Sequence, residues 1–319
     1  MVAEMLDIFL GVCFPIVAVA AIGWFVDRRI GFDLKSLVRL NIYLFIPCFI
    51  FVRLVSVDLP AGGSPLSIVG FSLIVIACMG GLSHVYGRLA GLGDARTRAS
   101  MLSTMFYNSG NYGLPLVILA FGATAQNVQV FVLATMNVTT FSVGAWIASR
   151  PSQGHTSQQK GSWLASLKPL LKLPPLYGIT LAMIVRATEI PIQKVTPIWQ
   201  PLSIVADGLV PIALVTLGVQ LSKTKWHGSL PRGLLVVTVI RLLVGPVIGF
   251  FLIRLFGFEG LTAAALLVGT SVPSAVNAAL IAEQFDADGD FATSVVMAST
   301  LLSLVTVTAT IYAARVLYL

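Results

Sequence analysis

The sequence predicts an all-α membrane protein of about ten transmembrane helices, arranged as two inverted five-helix repeats. Three observations predict it. Of the 319 residues, 57% are hydrophobic and only 10% charged, with mean hydropathy +0.92; a soluble domain carries about 25% charged residues. Apolar runs of roughly 18–25 residues, the length a bilayer core demands, recur along the whole chain. The second half of the chain also echoes the first in spacing and residue type.

In order, the runs fall near residues 5–26, 34–56, 65–88, 97–121 and 125–149, then 169–188, 199–221, 232–255, 260–284 and 291–316. The first run sits where a signal peptide would. Its leader carries Glu4 and Asp7 instead of lysines, and the run is long enough to span, so it reads as a retained helix. The sixth is the least regular, because Pro169, Pro174 and Pro175 crowd its start. The polar stretch RPSQGHTSQQKGSW separates runs five and six. Residues 1–150 thus form the first repeat, 151–168 a short cytoplasmic linker, and 169–319 the second repeat.

A shift of 166 residues lays runs 3–5 on runs 8–10 without a gap. It matches Arg88 with Arg254, Thr104 with Thr270, Tyr107 with Pro273, Asn108 with Ser274 and Asn111 with Asn277. A shift of 164 brings Pro47 onto Pro211. Five is odd, so the second copy crosses the membrane in the opposite sense, as an inverted repeat does.

Basic residues cluster in alternate loops. Arg28, Arg29 and Lys35; Arg88, Arg96 and Arg98; Arg150, Lys160, Lys168 and Lys172; and Lys223, Lys225 and Arg232 follow runs 1, 3, 5 and 7. The other loops and the C-terminal end hold Arg53, Arg186, Lys194, Arg254 and Arg315. The positive-inside rule makes the first group cytoplasmic and puts both termini outside. The loop EQFDADGD (283–290) is acidic and also cytoplasmic, but acidic residues count for little in that rule. The net charge of +7 therefore reflects topology: the partner surface is a lipid bilayer, and no nucleic-acid partner is indicated. Cys13, Cys48 and Cys78 lie in apolar runs without CxxC pairing and read as packing residues. His84, His155 and His227 lack metal-ligand spacing, so neither a metal nor another cofactor is indicated.

The stretch YNSGNYGLP (107–115) puts Asn108, Gly110, Asn111, Gly113 and Pro115 in the middle of the fourth run. One reading is a packing kink, since Gly and Pro are tolerated in membrane helices. The other is a discontinuous helix whose freed backbone groups bind a solute near mid-membrane. The matching place in the ninth run reads TSVPSAVNAAL (270–280). There Pro273 removes a backbone donor, and Ser271, Ser274 and Asn277 supply hydrogen-bonding side chains. Interruptions at corresponding places in both halves favour the second reading. Unpaired N–H groups at half-helix starts suit an anion.

The runs RLLVGPVIGF (241–250) and VPSAVNAALIAEQF (272–285) resemble the eighth and ninth helices of the auxin efflux carrier family. These are PIN-like transporters of the bile/arsenite/riboflavin transporter superfamily. DGLVPIALVTLGVQL (207–221) is similar to the family's seventh helix, and Asn108, seven residues before Pro115, to its first crossover. The resemblance covers nearly the whole chain. It implies broken crossover helices 4 and 9, a scaffold of helices 1, 2, 6 and 7, and a transport unit of helices 3–5 and 8–10. An elevator-like displacement would then carry a small organic anion, such as malonate, malate or an auxin-like indole acid. The resemblance also implies carboxylate contacts from Asn108 and from Pro273, Ser274 and Asn277. Asn111, Gly113 and Pro115 shape the first crossover, and FIPCFI (45–50) forms a facing wall through Ile46 and Ile50. Two departures, the short linker and Tyr107 where plant members carry a proline, favour a microbial member in a bacterial inner membrane. The resemblance leaves room for a homodimer and singles out neither protons nor sodium as coupling ion.

Asp207, Arg39 and Arg241 fall inside runs, where an ionisable group is costly unless paired. Run 7 enters from outside and run 8 from inside, which sets Asp207 and Arg241 at similar depths. They read as a structural ion pair, or else Asp207 couples transport to protons. Arg39 is placed to snorkel, Glu283 reads as a solvated helix end, and the Ser and Thr of the last run are expected to bond their own backbone. A membrane-embedded enzyme needs a nucleophile–base cluster, for which the acidic DADGD is a weak match. A passive channel would show flux that neither saturates nor exchanges. The expectation is a transporter, not an enzyme.

Overall fold

The computed structural model describes residues 2–57, 63–150, 174–223 and 231–319. The expected linker 151–168, with His155, lies outside the described residues, as do the start of the sixth run at 169–173 and His227. Among the described residues, seven helices are long and apolar enough to cross a membrane. They are α1 (Val2–Ile30), α2 (Leu34–Ser56), α3 (Pro65–Leu89), α6 (Ala123–Ala148), α8 (Thr196–Lys223), α9 (Leu234–Phe256) and α12 (Gly289–Tyr318). Between α3 and α6 stand two shorter helices, α4 (Asp94–Met105) and α5 (Ser109–Phe121). α7 (Pro174–Ala187) precedes α8, and α10 (Gly260–Thr270) and α11 (Val276–Gln284) precede α12.

Local chemistry sets several ends. Gly31 takes the left-handed conformation (φ 79°) that closes α1, which costs glycine nothing because it has no Cβ. Asp33 accepts from the N–H groups of Lys35 and Ser36 to open α2, and Ser64 with Ser67 forms a capping box on α3.

Prolines then bend the spans in a repeated way. A π-helical turn lies just before Phe14–Pro15, Ile46–Pro47, Leu114–Pro115 and Gly245–Pro246. In each case the N–H preceding the proline reaches five residues back, to Phe9, Asn41, Ser109 or Ile240. The proline ring crowds the carbonyl four residues earlier, so the turn widens to make room.

α1 packs along the second half of α8, and α2 along α7. Both pairs touch backbone to backbone. A Cβ on Gly218 would fall on the Ala20 carbonyl, one on Gly23 would lie 2.5 Å from the Val215 carbonyl, and one on Gly178 would lie 2.7 Å from that of Pro47. The remaining helices group around the interrupted segments: α3 lies on α4, α9 on α10, and α12 against α4, α10 and α11. On α12, Thr300, Thr308 and Thr310 turn their hydroxyls to Val296, Leu304 and Thr306 four residues back.

Candidate binding site between two interrupted helices

The fourth and ninth runs are each divided in two. Phe106 leaves the helical region at φ −106°, ψ 112°, and Ala275 is extended at φ −76°, ψ 138°. The two interruptions meet. The Asn108 N–H donates to the Pro273 carbonyl at 2.9 Å, and the Ala275 N–H to the Phe106 carbonyl at 2.8 Å. Tyr107 and Ser274 thus face each other across a minimal antiparallel bridge. Backbone groups that lost their intrahelical partners satisfy one another, as a low-dielectric interior demands. The Ser274 hydroxyl donates to the Ser103 carbonyl at 2.6 Å. The Ser274 N–H donates to the Ser299 hydroxyl at 3.1 Å.

The starts of α5 and α11 both open on one small cavity beside this bridge. Asn108, Ser109, Gly110 and Asn111 line it from one segment; Ala275, Val276 and Asn277 line it from the other. It measures about 50 Å³ by the centres of solvent-sized spheres. One water needs roughly 10–15 Å³ on that measure, so it holds a few waters or one compact anion. Of the described residues that line it, none is Asp, Glu, Lys, Arg or His. Asn108 accepts from the Asn111 N–H at 3.1 Å through its Oδ1. Its Nδ2 has no hydrogen-bond partner among the described residues, although the residue is only 8% exposed. No side chain caps the start of α11; the Ala278 N–H turns back to the Ala275 carbonyl at 3.1 Å, and the Val276 and Asn277 N–H groups are left as a ready anion site.

Arg241, on α9, is fully buried behind the bridge. Its Nη1 donates to the Thr104 carbonyl at 2.9 Å and its Nη2 donates to the Thr270 carbonyl. Those carbonyls end α4 and α10 and carry the negative poles of the two helices. The guanidinium carbon also lies 4.8 Å from the centre of the Tyr107 ring, a cation–π distance; Tyr107 itself lines the cavity.

Of the residues expected at the site, Asn108, Asn111, Asn277 and Ile46 line the cavity. Ile50, Gly113, Pro115, Pro273 and Ser274 do not. Ile50 is fully buried in α2. Gly113 lies in α5's widened first turn, its N–H bonded to the Asn108 carbonyl at 2.8 Å; Pro115 follows that turn, and Pro273 and Ser274 belong to the bridge. The expected pairing of Asp207 with Arg241 is not formed. Asp207 meets Arg53 at 2.5 Å, with its side chain 66% exposed, while Arg241 takes backbone carbonyls. Backbone acceptors at two helix ends satisfy a planar guanidinium as a carboxylate would.

Sequence reasoning passed over four polar residues here. Asn137, Thr140 and Gln220 line the cavity, and Gln129 donates from Nε2 to the Ser109 carbonyl at 3.0 Å. A signal existed for three of them: Gln129, Asn137 and Gln220 are amides inside apolar spans, where polar side chains are rare and functional.

A membrane transport protein family model matches residues 8–311. The chain belongs to that family. Within it lie the auxin efflux carriers and their PIN-like relatives that the motifs resemble. An "Uncharacterized transporter" of Methanothermobacter thermautotrophicus is 27% identical over 274 residues, 86% of each chain. Another, of Methanocaldococcus jannaschii, is 23% identical over 278 residues, 86% of this chain and 87% of the relative. A Rhizobium meliloti protein named "Putative malonate transporter" is 23% identical over 313 residues, 96% of this chain and 95% of the relative. The family and these relatives make the chain a membrane transporter rather than an enzyme.

Proposed function

We propose that this membrane transport protein is a secondary transporter of a small carboxylate, held where its two interrupted helices meet. The observation that carries the reading is the shared cavity. Two helix starts, four asparagines and no acidic side chain surround it among the described residues. Backbone N–H groups and amides bind a carboxylate by charge-assisted hydrogen bonds, and no salt bridge is required. The relative named for malonate supports the same chemistry.

An elevator-type movement fits how the walls are shared. Ile46 of α2 and Gln220 of α8 face the cavity from the glycine-tight pairs α1–α8 and α2–α7; the other lining residues belong to helices around the breaks. In this reading α1, α2, α7 and α8 form the scaffold, and α3–α6 with α9–α12 carry the cargo as two inverted halves. The basic cytoplasmic loops put both termini outside the membrane.

The test is a thermal-shift screen of purified protein against mono- and dicarboxylates, indole acids and sodium, followed by counter-exchange in proteoliposomes. Saturable exchange of a carboxylate is the expected result. Flux that neither saturates nor exchanges would make the protein a channel, and the absence of any carboxylate response would overturn the reading.

A further inference from the structure

Four half-helix ends converge on the bridge, and their charges do not cancel. α4 and α10 end there with their negative poles, each equivalent to roughly half an elementary charge, and α5 and α11 begin there with matching positive poles. Alone, the four poles sum to zero. Arg241 changes that sum. Its guanidinium bonds a carbonyl in the final turn of each of α4 and α10, at Thr104 and Thr270, and so offsets both negative poles. The two positive poles at the cavity are left without an opposing charge, since Asn108 caps the start of α5 with a neutral amide. No carboxylate of the described residues bonds Arg241, and Tyr107 is the titratable side chain found against it. Tyr107 is also the titratable residue among those lining the cavity.

We propose that Arg241 is the resident counter-charge of the cargo: it gives the empty site a net charge of one positive unit, which a single carboxylate neutralises. The proposal rests on the carboxylate reading above. It has two consequences. A dicarboxylic acid is carried only with one of its carboxyl groups protonated, because the site has no second positive charge. The loaded step moves no net charge through the membrane field, whereas the empty step moves one. Arg241 touches the helix ends and not the cavity, so it acts as a positioning residue that sets the potential of the site.

The first measurement compares malonate with monomethyl malonate, the same skeleton with one ionisable group, as ligands of the wild-type protein across pH. Above the second ionisation of malonate its apparent affinity should fall about tenfold per pH unit, by proton linkage. The monoester should hold constant over that range. A malonate affinity that stays level while the dianion dominates would overturn the proposal. The second measurement applies voltage steps across membranes that hold the protein. Cargo-free protein should give a transient charge movement that saturating monoester suppresses. Arg241→Lys should keep the transient, with monoester affinity lowered about tenfold, and Arg241→Gln should lose it. Counter-exchange without an empty-state transient would overturn the counter-charge while transport stands. An empty-state transient that no carboxylate alters, in protein that exchanges none, would instead overturn the carboxylate reading and the pairing built on it.

Discussion

The two interruptions meet in one bridge but are built differently. The first has no proline at the break itself: Tyr107 stands there, and Asn108 caps its own half-helix by accepting from the Asn111 N–H. The Asn108 carbonyl further accepts from Tyr112 and Gly113 at 3.2 and 2.8 Å, so this turn is closed by its own residues. The second break has Pro273, which brings no N–H to satisfy, and Ala275, which offers no cap. It is held from outside, by Ser299 and by the Ser103 carbonyl. The first break is capped from within, with one outside bond from Gln129 to the Ser109 carbonyl; the second is open, and the Val276 and Asn277 N–H groups of its uncapped first turn are left for a ligand. The difference assigns rigidity to the first segment and available donors to the second.

Removing what both breaks share should have the largest effect. Arg241→Met leaves the Thr104 and Thr270 carbonyls buried without this partner, at about 1–3 kcal/mol each. A loss of several kcal/mol, read as a fall in Tm of purified protein, is expected. A small change would mean that the breaks hold together without the arginine.

Ser274→Ala comes next, because it removes the hydroxyl that ties the open break to the Ser103 carbonyl. The expected loss is about 1–3 kcal/mol, again by thermal unfolding. A matching loss from Ser109→Ala, whose hydroxyl has no such role, would erase the difference between the breaks.

The asparagines sharpen the comparison further. Asn108→Ala should cost about 0.5–2 kcal/mol through the lost cap and weaken carboxylate binding about ten- to a hundredfold, the equivalent of roughly 1.5–3 kcal/mol. Asn277→Ala caps nothing, so it should weaken binding about tenfold with Tm nearly unchanged. Equal stability losses in the two variants would contradict the division of labour drawn above.

The smallest effect is expected far from both breaks. Asp207 pairs with Arg53 from an exposed position, its side chain 66% exposed against 24% for the arginine, and such a water-screened pair is worth about 0–1 kcal/mol. Asp207→Asn should leave stability and the pH profile of transport as they are. A lost pH dependence would restore Asp207 as a proton-coupling group.

Much of this architecture is legible locally. Apolar runs long enough to span mark α1, α2, α3, α6, α8, α9 and α12, because the bilayer selects length and hydropathy residue by residue. The interruptions at 106–108 and 271–275 are visible for the same reason: Gly, Pro and Asn alter backbone preference where they stand. Asn108, Asn111 and Asn277, three of the cavity's four asparagines, could be named in advance because they sit beside those interruptions. What Arg241 binds could not be read from the sequence. Its partners are backbone carbonyls 137 and 29 residues away, and a carbonyl is the same on every residue, so no side-chain pattern announces it. Asp207 looked like a partner because charge is a visible property, yet it sits with Arg53 instead. The meeting of the Asn108 and Ala275 backbones, the inclusion of Asn137 and Gln220 in one wall, and the exclusion of Ile50 from it all depend on how helices pack. The sequence by itself determined the spans, the two breaks and the amides beside them, because those follow from local backbone chemistry and burial. Only the tertiary structure decided which helix ends converge and what charge they leave, because that sum depends on distances between segments far apart in the chain.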